Sequence, residues 1–253
     1  MGATENIMLA AVLAKGTTKI INAAMEPEIA DLQKFLNKMG AKIEGAGSNV
    51  ITIEGVKKLK DVSYNIMPDR IEAGTLLCST AMTGGEIALK NVNISHIAPI
   101  IDKLSEAGCK MVLGNKNIIL KAPKRLKAIN IRTMPYPGFP TDMQSIIASN
   151  MCVANGTSVI VENIFENRFK TLNELQKMGA KIKVEGNTAI IKGTRKLYAA
   201  KVKATDLRGG ACLVIAGLVA KGKTEVENIE YVLRGYENLD KKLQELGAKI
   251  YIK

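Results

Sequence analysis

LNKMGAKI, residues 36–43, is the stretch that decides the fold, because versions of it recur three more times along the chain. The related strings are LSEAGCKM (104–111), LQKMGAKI (175–182) and LQELGAKI (243–250). Their glycines, Gly40, Gly108, Gly179 and Gly247, are separated by 68, 71 and 68 residues. A nearly constant period of this size indicates an internal structural repeat.

A second marker precedes each copy of the first. Its four versions are AKGTTKIIN (14–22), TGGEIALKN (83–91), ANGTSVIVEN (154–163) and AKGKTEVEN (220–228). Their glycines, Gly16, Gly85, Gly156 and Gly222, keep nearly the same period. Two independent markers with one period predict four copies of one unit.

Each unit is predicted to have the order β-α-β-α-β-β. A short strand leads into an apolar helix, which we expect to end in a left-handed C-cap at the glycine of the second marker. A β-branched strand such as 158–161 follows, then an amphipathic helix such as 29–39 and one or two closing strands. The first copy is expected to lack its opening strand, and the last to stop at 250–252 before a second closing strand. The predicted class is therefore α/β (α+β) with repeated units.

The composition is that of a soluble globular protein, with 47% apolar and 24% charged residues among 253. The four cysteines are far apart, with no CxxC pair and no histidine cluster. This spacing argues against a zinc site or a disulfide framework and predicts a reducing, cytoplasmic location with no metal or cofactor. The longest apolar run, 211–220, is too short to span a bilayer. The N-terminus has no basic region typical of a signal peptide.

The formal net charge of +12 is the unusual global property. It is compatible with a nucleic-acid binder, a membrane-surface protein, a site for small anions, or simply a basic solvated surface. Aromatic residues make up only 4% of the chain and tryptophan is absent, which argues against an aromatic platform for RNA. We therefore favour small anionic ligands and expect neither a nucleic-acid nor a membrane partner.

The starts of the first helices are the candidate anion sites. They read GATEN (2–6), PDRIE (68–72), PTDMQ (140–144) and ATDLR (204–208). Helix N-termini attract anions because their free N–H groups and the helix dipole point there. If the units pack with pseudo-symmetry, several of these starts converge on one site.

Individual residues at these starts have more than one explanation. Thr141 and Gln144 fit a T-x-x-Q capping box, and Asp142 is either a favourable charge near the helix start or a catalytic base. Arg70 and Arg208 oppose the helix dipole, so they fit better if an anion lies beside them.

The turns before the second helices hold further polar residues. Residues 166–168 and 234–237 are either functional or ordinary polar turns, and His96 is best explained as a solvated turn residue. There is no P-loop, GxSxG or HExxH motif.

Six strings together resemble a known family. They are MEPEI (25–29), MPDRIEAGT (67–75), FPTDMQ (139–144), FENRF (165–169), ATDLRGGA (204–211) and LRGYE (233–237). In this order they resemble the UDP-N-acetylglucosamine 1-carboxyvinyltransferases of the enolpyruvyl transferase family, and the resemblance extends over essentially the whole chain. It implies an inside-out α/β barrel. Residues 1–66 would be the last repeat of an upper, N-terminal domain, and residues 67–253 a lower domain of three repeats (67–127, 128–198 and 199–253).

The resemblance also implies a reaction. Enolpyruvate is transferred from phosphoenolpyruvate to the 3-hydroxyl of UDP-N-acetylglucosamine with release of phosphate, the first committed step of peptidoglycan synthesis. Asp142 matches the proposed general base at the sugar hydroxyl, and Arg208 and Arg234 match arginines near phosphoenolpyruvate. The residues that match substrate-binding positions are Gly2, Ala3, Thr4, Glu26, Arg70, Thr141, Ile164, Glu166, Arg168 and Asp206.

The chain departs from the family pattern at its N-terminal side, where roughly the first 160 residues have no counterpart. They carry a lysine–asparagine pair, the mobile loop with a catalytic cysteine or aspartate, and a phosphate-binding arginine. One expectation is therefore a C-terminal portion of the transferase that is inactive alone and pairs with the missing portion or with itself. The alternative is a self-standing, non-catalytic protein that binds anions or nucleotide sugars on the same fold.

Overall fold

The predicted repeat is present in the structure, a computed structural model that describes residues 1–252. The first repeat comprises α1 (Gly2–Ala11), β1 (Thr17–Ile21), α2 (Pro27–Lys38), β2 (Lys42–Glu44) and β3 (Val50–Glu54). The second comprises α3 (Arg70–Thr83), β4 (Glu86–Lys90), α4 (Ala98–Glu106), β5 (Lys110–Leu113) and β6 (Asn117–Lys121).

The last two repeats each begin with short strands. The third comprises β7 (Ile131–Arg132), α5 (Gln144–Val153), β8 (Thr157–Val161), α6 (Lys170–Lys177), β9 (Lys181–Glu185) and β10 (Thr188–Lys192). The fourth comprises β11 (Leu197–Tyr198), β12 (Lys201–Lys203), α7 (Leu207–Val219), β13 (Ala220–Lys221), β14 (Glu225–Glu227), α8 (Glu230–Leu233) and α9 (Leu239–Glu245). Two predictions were wrong: residues 55–69 contain no opening strand for the second repeat, and residues 246–252 contain no closing strand.

The sheets of the first three repeats share one topology, in which the last strand lies between its neighbours, whereas the fourth repeat has the parallel pairs β11-β13 and β12-β14. The first repeat has the order β1-β3-β2 and the second β4-β6-β5, with antiparallel neighbours throughout. The third extends this to β7-β8-β10-β9, where β7 runs parallel to β8. The carboxyl ends of β7 and β8 therefore lie side by side, which brings the residues after them together.

The second helix of the predicted unit corresponds to α2, α4, α6 and α9, and all four end in the same way, at the glycine of the LGAKI-type motif. After α2, the N–H of Gly40 donates to the carbonyl of Asn37 at 3.0 Å, and that of Ala41 to the carbonyl of Leu36 at 3.0 Å. The four glycines have φ between 88° and 102°, a left-handed conformation that other residues rarely adopt. The repeated string is therefore a helix-stop signal, as predicted.

The predicted C-caps of the first helices were wrong. α1, α5 and α7 end before the glycine of the second marker, and α3 is capped at Gly84, one residue before the predicted position. Gly16, Gly156 and Gly222 do have positive φ, but they lie after the helix end or its adjoining strand, in the turn before the next strand. The turn, rather than the helix end, requires these glycines.

Two compact units make up the described chain. The first contains Met1–Pro68 with Pro135–Gly138, and the second contains Asp69–Met134 with the chain from Phe139 onward. We call them the N-terminal and C-terminal units. The N-terminal unit has its own core, formed by α1, α2 and the inner face of its sheet.

Helices form the centre of the C-terminal unit. α3, α5 and α7 pack against one another, and nine of the ten α5 residues are buried. Most residues of all three helices are buried, polar ones such as Thr75 and Asn150 included. The sheets and the amphipathic helices surround them, so the inside-out arrangement is present. No helix within residues 1–252 is both long and apolar enough to cross a membrane.

Candidate functional site

Asp142 lies between two arginines in the C-terminal unit. Its Oδ1 accepts a hydrogen bond from Arg168 Nη2 at 2.5 Å. Its Oδ2 accepts from Nη2 and Nε of Arg208 at 2.9 and 3.1 Å. The arginines are 26 and 66 residues away along the chain, so only the tertiary fold brings the three together. We call these three residues the Asp142 cluster.

The segment that positions Asp142 is a 3-10 turn, Thr141–Met143, which leads into α5. The predicted capping box is wrong, because the Thr141 hydroxyl donates to Glu162 Oε2 at 2.9 Å instead of capping. Gln144 is fully buried, and its Oε1 accepts from the Ser145 hydroxyl at 3.2 Å. The threonine hydroxyl therefore donates to a charged acceptor, and such charge-assisted hydrogen bonds are stronger than neutral ones.

Arg208 is held by the capped start of α7. Asp206 Oδ1 accepts from the N–H groups of Arg208 at 3.0 Å and Gly209 at 2.9 Å. A Cβ atom on Gly209 would lie 2.2 Å from the Thr171 hydroxyl oxygen, which itself pairs with the Thr205 hydroxyl at 2.8 Å. Glycine is thus required for this close packing. The anion expected beside Arg208 is, in this structure, the carboxylate of Asp142.

Both arginines of the cluster lie over aromatic rings. The Arg208 guanidinium is 5.4 Å from the ring centroid of Tyr236, and that of Arg168 is 4.8 Å from the centroid of Phe165. Tyr236 is 1% exposed and its hydroxyl lies 2.9 Å from Thr75 Oγ1. These rings fix the guanidinium planes by a cation–π contact as well as by hydrogen bonds.

One N–H donor on each arginine has no acceptor. Arg168 Nε and Arg208 Nη1 are buried and make no hydrogen bond within residues 1–252. Buried guanidinium donors are nearly always paired, because an unpaired one loses its hydration without compensation. These two nitrogens could therefore donate hydrogen bonds to an additional acceptor.

The cluster is charged at neutral pH. Burial alone would raise the pKa of Asp142, but the Arg208 and Arg168 guanidinium groups outweigh it and hold this pKa below its ordinary value. Burial acts to lower the pKa of Arg208, yet Tyr236 and Asp142 together raise it. One carboxylate between two cations leaves a net positive charge, which suits an anionic ligand.

The other predicted residues of the C-terminal unit differ in burial and in hydrogen bonding. Arg70 is buried at the first position of α3, and Asp206 caps α7. The Ile164 N–H donates to Glu162 Oε1 at 2.8 Å while its side chain is 45% exposed. The Glu166 and Arg234 side chains are exposed and make no hydrogen bond or ion pair with any described residue.

The predicted residues of the N-terminal unit are described within that unit. Gly2 and Ala3 are exposed in the first turn of α1. Thr4 is buried, and its Oγ1 accepts from the Ala24 N–H at 3.0 Å. Glu26 precedes α2 without capping it through its side chain.

Sequence reasoning missed Glu162 as a member of the site and named Tyr236 only within the polar turn 234–237. Glu162 directly follows the β-branched strand β8 and is 5% exposed. A single acidic residue at the end of a predicted buried strand was a usable signal, since carboxylates are rarely buried without partners. No group of three or more His, Cys, Asp or Glu side chains in residues 1–252 is arranged to hold a metal ion.

Comparisons with known proteins show the family and the fold of the chain. Residues 1–243 match the family described as EPSP synthase (3-phosphoshikimate 1-carboxyvinyltransferase). The chain is 55% identical to UDP-N-acetylglucosamine 1-carboxyvinyltransferase 1 of Caldanaerobacter subterraneus subsp. tengcongensis, covering 100% of this chain and 61% of that protein. Among solved structures, it is similar to the enolpyruvyl transferase NikO from Streptomyces tendae, with a TM-score of 0.88 and 27% identity. That match covers 99% of this chain and 60% of NikO.

A more distant structure shares the fold alone. EPSP synthase from Acinetobacter baumannii superposes with a TM-score of 0.74 at 20% identity, over 98% of this chain and 60% of that one. The chain thus spans about 60% of the length of the relatives it matches.

Proposed function

The chain belongs to the EPSP synthase (3-phosphoshikimate 1-carboxyvinyltransferase) family, and from this we propose that it supplies the base and an anion-binding part of a UDP-N-acetylglucosamine 1-carboxyvinyltransferase site. The reaction is the transfer of enolpyruvate from phosphoenolpyruvate to a sugar 3-hydroxyl with release of phosphate. The single observation that carries the proposal is the Asp142 cluster, an ionised carboxylate between two arginines that have unused donors.

Asp142 is the proposed general base. Because its pKa lies below the ordinary value, it is unprotonated at neutral pH, and it can accept the proton of the sugar hydroxyl once a bound substrate draws an arginine away from it. As that proton leaves, the oxygen attacks C2 of phosphoenolpyruvate and an acid in the N-terminal region of the family, which this chain does not match, donates a proton to C3, which gives a tetrahedral phospho-ketal. Loss of phosphate and of a proton from C3 then restores the enol double bond.

Arg208 and Arg234 are the proposed contacts of phosphoenolpyruvate. Its phosphate and carboxylate groups both match the fork of a guanidinium. Arg208 Nη1 is an unpaired buried donor, and the Arg234 side chain is exposed and unpaired within residues 1–252. A phosphate that draws Arg208 away from Asp142 also raises the pKa of Asp142, which makes it a better base at the moment the substrates are present.

The remaining predicted residues of the C-terminal unit are proposed contacts of the sugar nucleotide. Ile164 is favoured because it presents an apolar side chain on an exposed loop whose backbone is anchored. The others in the C-terminal unit are Arg70, Thr141, Glu166, Arg168 and Asp206.

A reconstitution experiment tests the proposal. The chain is mixed with the N-terminal region of a relative that it does not match, supplied as a separate polypeptide, and phosphate release from phosphoenolpyruvate plus UDP-N-acetylglucosamine is measured. We expect release in the mixture and its loss, by about 10²–10⁴-fold, with Asp142→Asn, the range a general base supplies. Asp102→Asn, an exposed aspartate on α4, is the charge-matched control.

The same mixture separates the two candidate functions. Full phosphate release by Asp142→Asn would exclude Asp142 as the base. Saturable binding of UDP-N-acetylglucosamine by calorimetry, with no phosphate release under any condition, would favour the non-catalytic binding protein instead.

A further inference from the structure

Glu162 is a buried carboxylate whose hydrogen bonds are all made with neutral groups. Its Oε1 accepts from the Thr133 hydroxyl at 2.7 Å and from the N–H groups of Ile164 and Phe165 at 2.8 and 2.9 Å. Its Oε2 accepts from the Thr141 hydroxyl at 2.9 Å. No cationic side chain within residues 1–252 contacts it. A buried carboxylate without a cation is uncommon and calls for an explanation.

The donors belong to the two segments that carry the Asp142–Arg168 ion pair. Thr141 immediately precedes Asp142 in the 3-10 turn. Phe165 begins the loop that ends at Arg168, and its ring supports the Arg168 guanidinium at 4.8 Å. Glu162 therefore connects the segment of the anion with the segment of the cation.

Glu162 is itself held firmly by the sheet. It follows β8 directly, and its N–H donates to the carbonyl of Asn187 at 2.8 Å. Thr133 follows β7, the parallel neighbour of β8, and its N–H donates to the carbonyl of Val161 at 3.0 Å. The carboxylate is thus fixed to the ends of two paired strands rather than to a loop.

We propose that Glu162 is the positioning residue of the Asp142–Arg168 pair, holding the 3-10 turn and the 163–168 loop at the separation that lets the two side chains meet. The inference deepens the proposed function, because Asp142 is the proposed base. The experiment that tests it observes the Arg168 side chain of the ion pair by NMR and does not depend on catalytic activity. If the reconstituted mixture releases no phosphate but the Arg168 signals change in the Glu162 and Thr141 variants as expected, the proposed function is rejected and the role of Glu162 stands.

Two substitutions at Glu162 have different expected effects. In Glu162→Gln the amide oxygen can keep the three donors of Oε1, and the amide nitrogen can donate to the Thr141 hydroxyl, which reverses one hydrogen bond without breaking the connection. In Glu162→Ala all four bonds are lost and two backbone N–H groups lose their acceptor. Thr141→Val removes only the bond on Oε2 and leaves the loop anchored.

The experiment is ¹⁵N–¹H NMR of the arginine side chains of the full chain at pH 6. Arg168 Nη protons bonded to Asp142 should rotate and exchange slowly, and Asp142→Asn supplies the reference for a broken pair. We expect the Arg168 Nη protons to exchange about tenfold faster in Glu162→Ala than in the wild type, and about threefold faster in Thr141→Val. In Glu162→Gln their exchange rate should be close to that of the wild type.

Glu174→Gln is the matched control. Glu174 also holds a backbone N–H, that of Lys203 at 2.9 Å, but contacts no member of the Asp142 cluster. It should leave the Arg168 signals unchanged.

Two outcomes would overturn the proposal. One is a wild-type Arg168 spectrum in folded Thr141→Val or Glu162→Ala. The other is an Arg168 Nη exchange rate in Glu162→Gln as fast as that in Asp142→Asn. If Glu162→Ala does not fold, Thr141→Val and Glu162→Gln decide the question, since neither leaves a buried backbone donor unpaired.

Discussion

Replacing Asp142 with asparagine should change stability and anion affinity in opposite directions. The substitution keeps the size of the side chain and removes the charge that both arginines contact. The Arg168 and Arg208 side chains are 8% and 13% exposed and lose their anionic partner, while the Asp142 side chain is 38% exposed. Breaking a fully buried pair costs about 3–5 kcal/mol and an exposed one about 0–1 kcal/mol. Because solvent screens the partly exposed carboxylate, we expect the free energy of unfolding to fall by about 2 kcal/mol.

The gain in anion affinity follows from the same charges. A unit charge about 6 Å from a bound phosphate contributes about 3 kcal/mol at an effective dielectric constant of about 20. Partial exposure and salt reduce this to about 1.5 kcal/mol, which corresponds to about a tenfold lower Kd for inorganic phosphate or phosphoenolpyruvate.

The assays are urea unfolding for stability and titration calorimetry for phosphate binding, both at pH 7.5. Asp102→Asn removes the same charge from an exposed position on α4 and should change neither quantity beyond error. Unchanged or weaker phosphate binding by a folded Asp142→Asn chain would refute the reasoning that Asp142 occupies guanidinium donors an anion would otherwise use.

Three further predictions concern pH, thiols and packing. Because the folded-state pKa of Asp142 lies below 3.8, its stabilising contribution is present above that pH and is lost as the pH falls through the lowered value. The stability difference from Asp142→Asn, measured by urea unfolding, should therefore be constant above about pH 5 and shrink below about pH 4; a difference that grows in acid would contradict this. Burial raises the pKa of Cys109 to about 11 and of Cys152 to about 12, and raises that of the other two buried thiols as well, so mass spectrometry should find iodoacetamide labelling at pH 7.5 only after unfolding. Gly209→Ala should destabilise the chain by about 1–3 kcal/mol in urea unfolding, because its Cβ meets the Thr171 hydroxyl, whereas Gly85→Ala, with only an ordinary contact at 3.8 Å, should not.

Much of the fold was predictable because the signals are local. The left-handed glycine after each second helix, the β-branched strands and the amphipathic spacing of α2 act within a few residues of each other. Local conformation and burial pattern are encoded at that range. The errors were local as well: the expected edge strands are absent from residues 55–69 and 246–252, and turns rather than helix ends contain the glycines of the second marker.

The candidate site was predictable only as a set of residue types. The helix starts pointed to Asp142 and Arg208, and the polar turns 166–168 and 234–237 contained Arg168 and Tyr236. The ring of Tyr236 beneath a guanidinium, and the neutral donors around Glu162, have no short-range pattern, so their roles were not predicted.

The sequence by itself determined the four repeats, the places where their second helices stop, and the positive charge that favours an anionic ligand. The tertiary structure decided which partner each polar side chain takes. Thr141 meets a carboxylate 21 residues away instead of its own helix end, and Asp142 meets guanidinium groups 26 and 66 residues away. The physical reason is that a charged partner delivered by a distant segment forms a stronger hydrogen bond than the local backbone can offer, and only the packing of α5 against α7 and of β7 beside β8 delivers it.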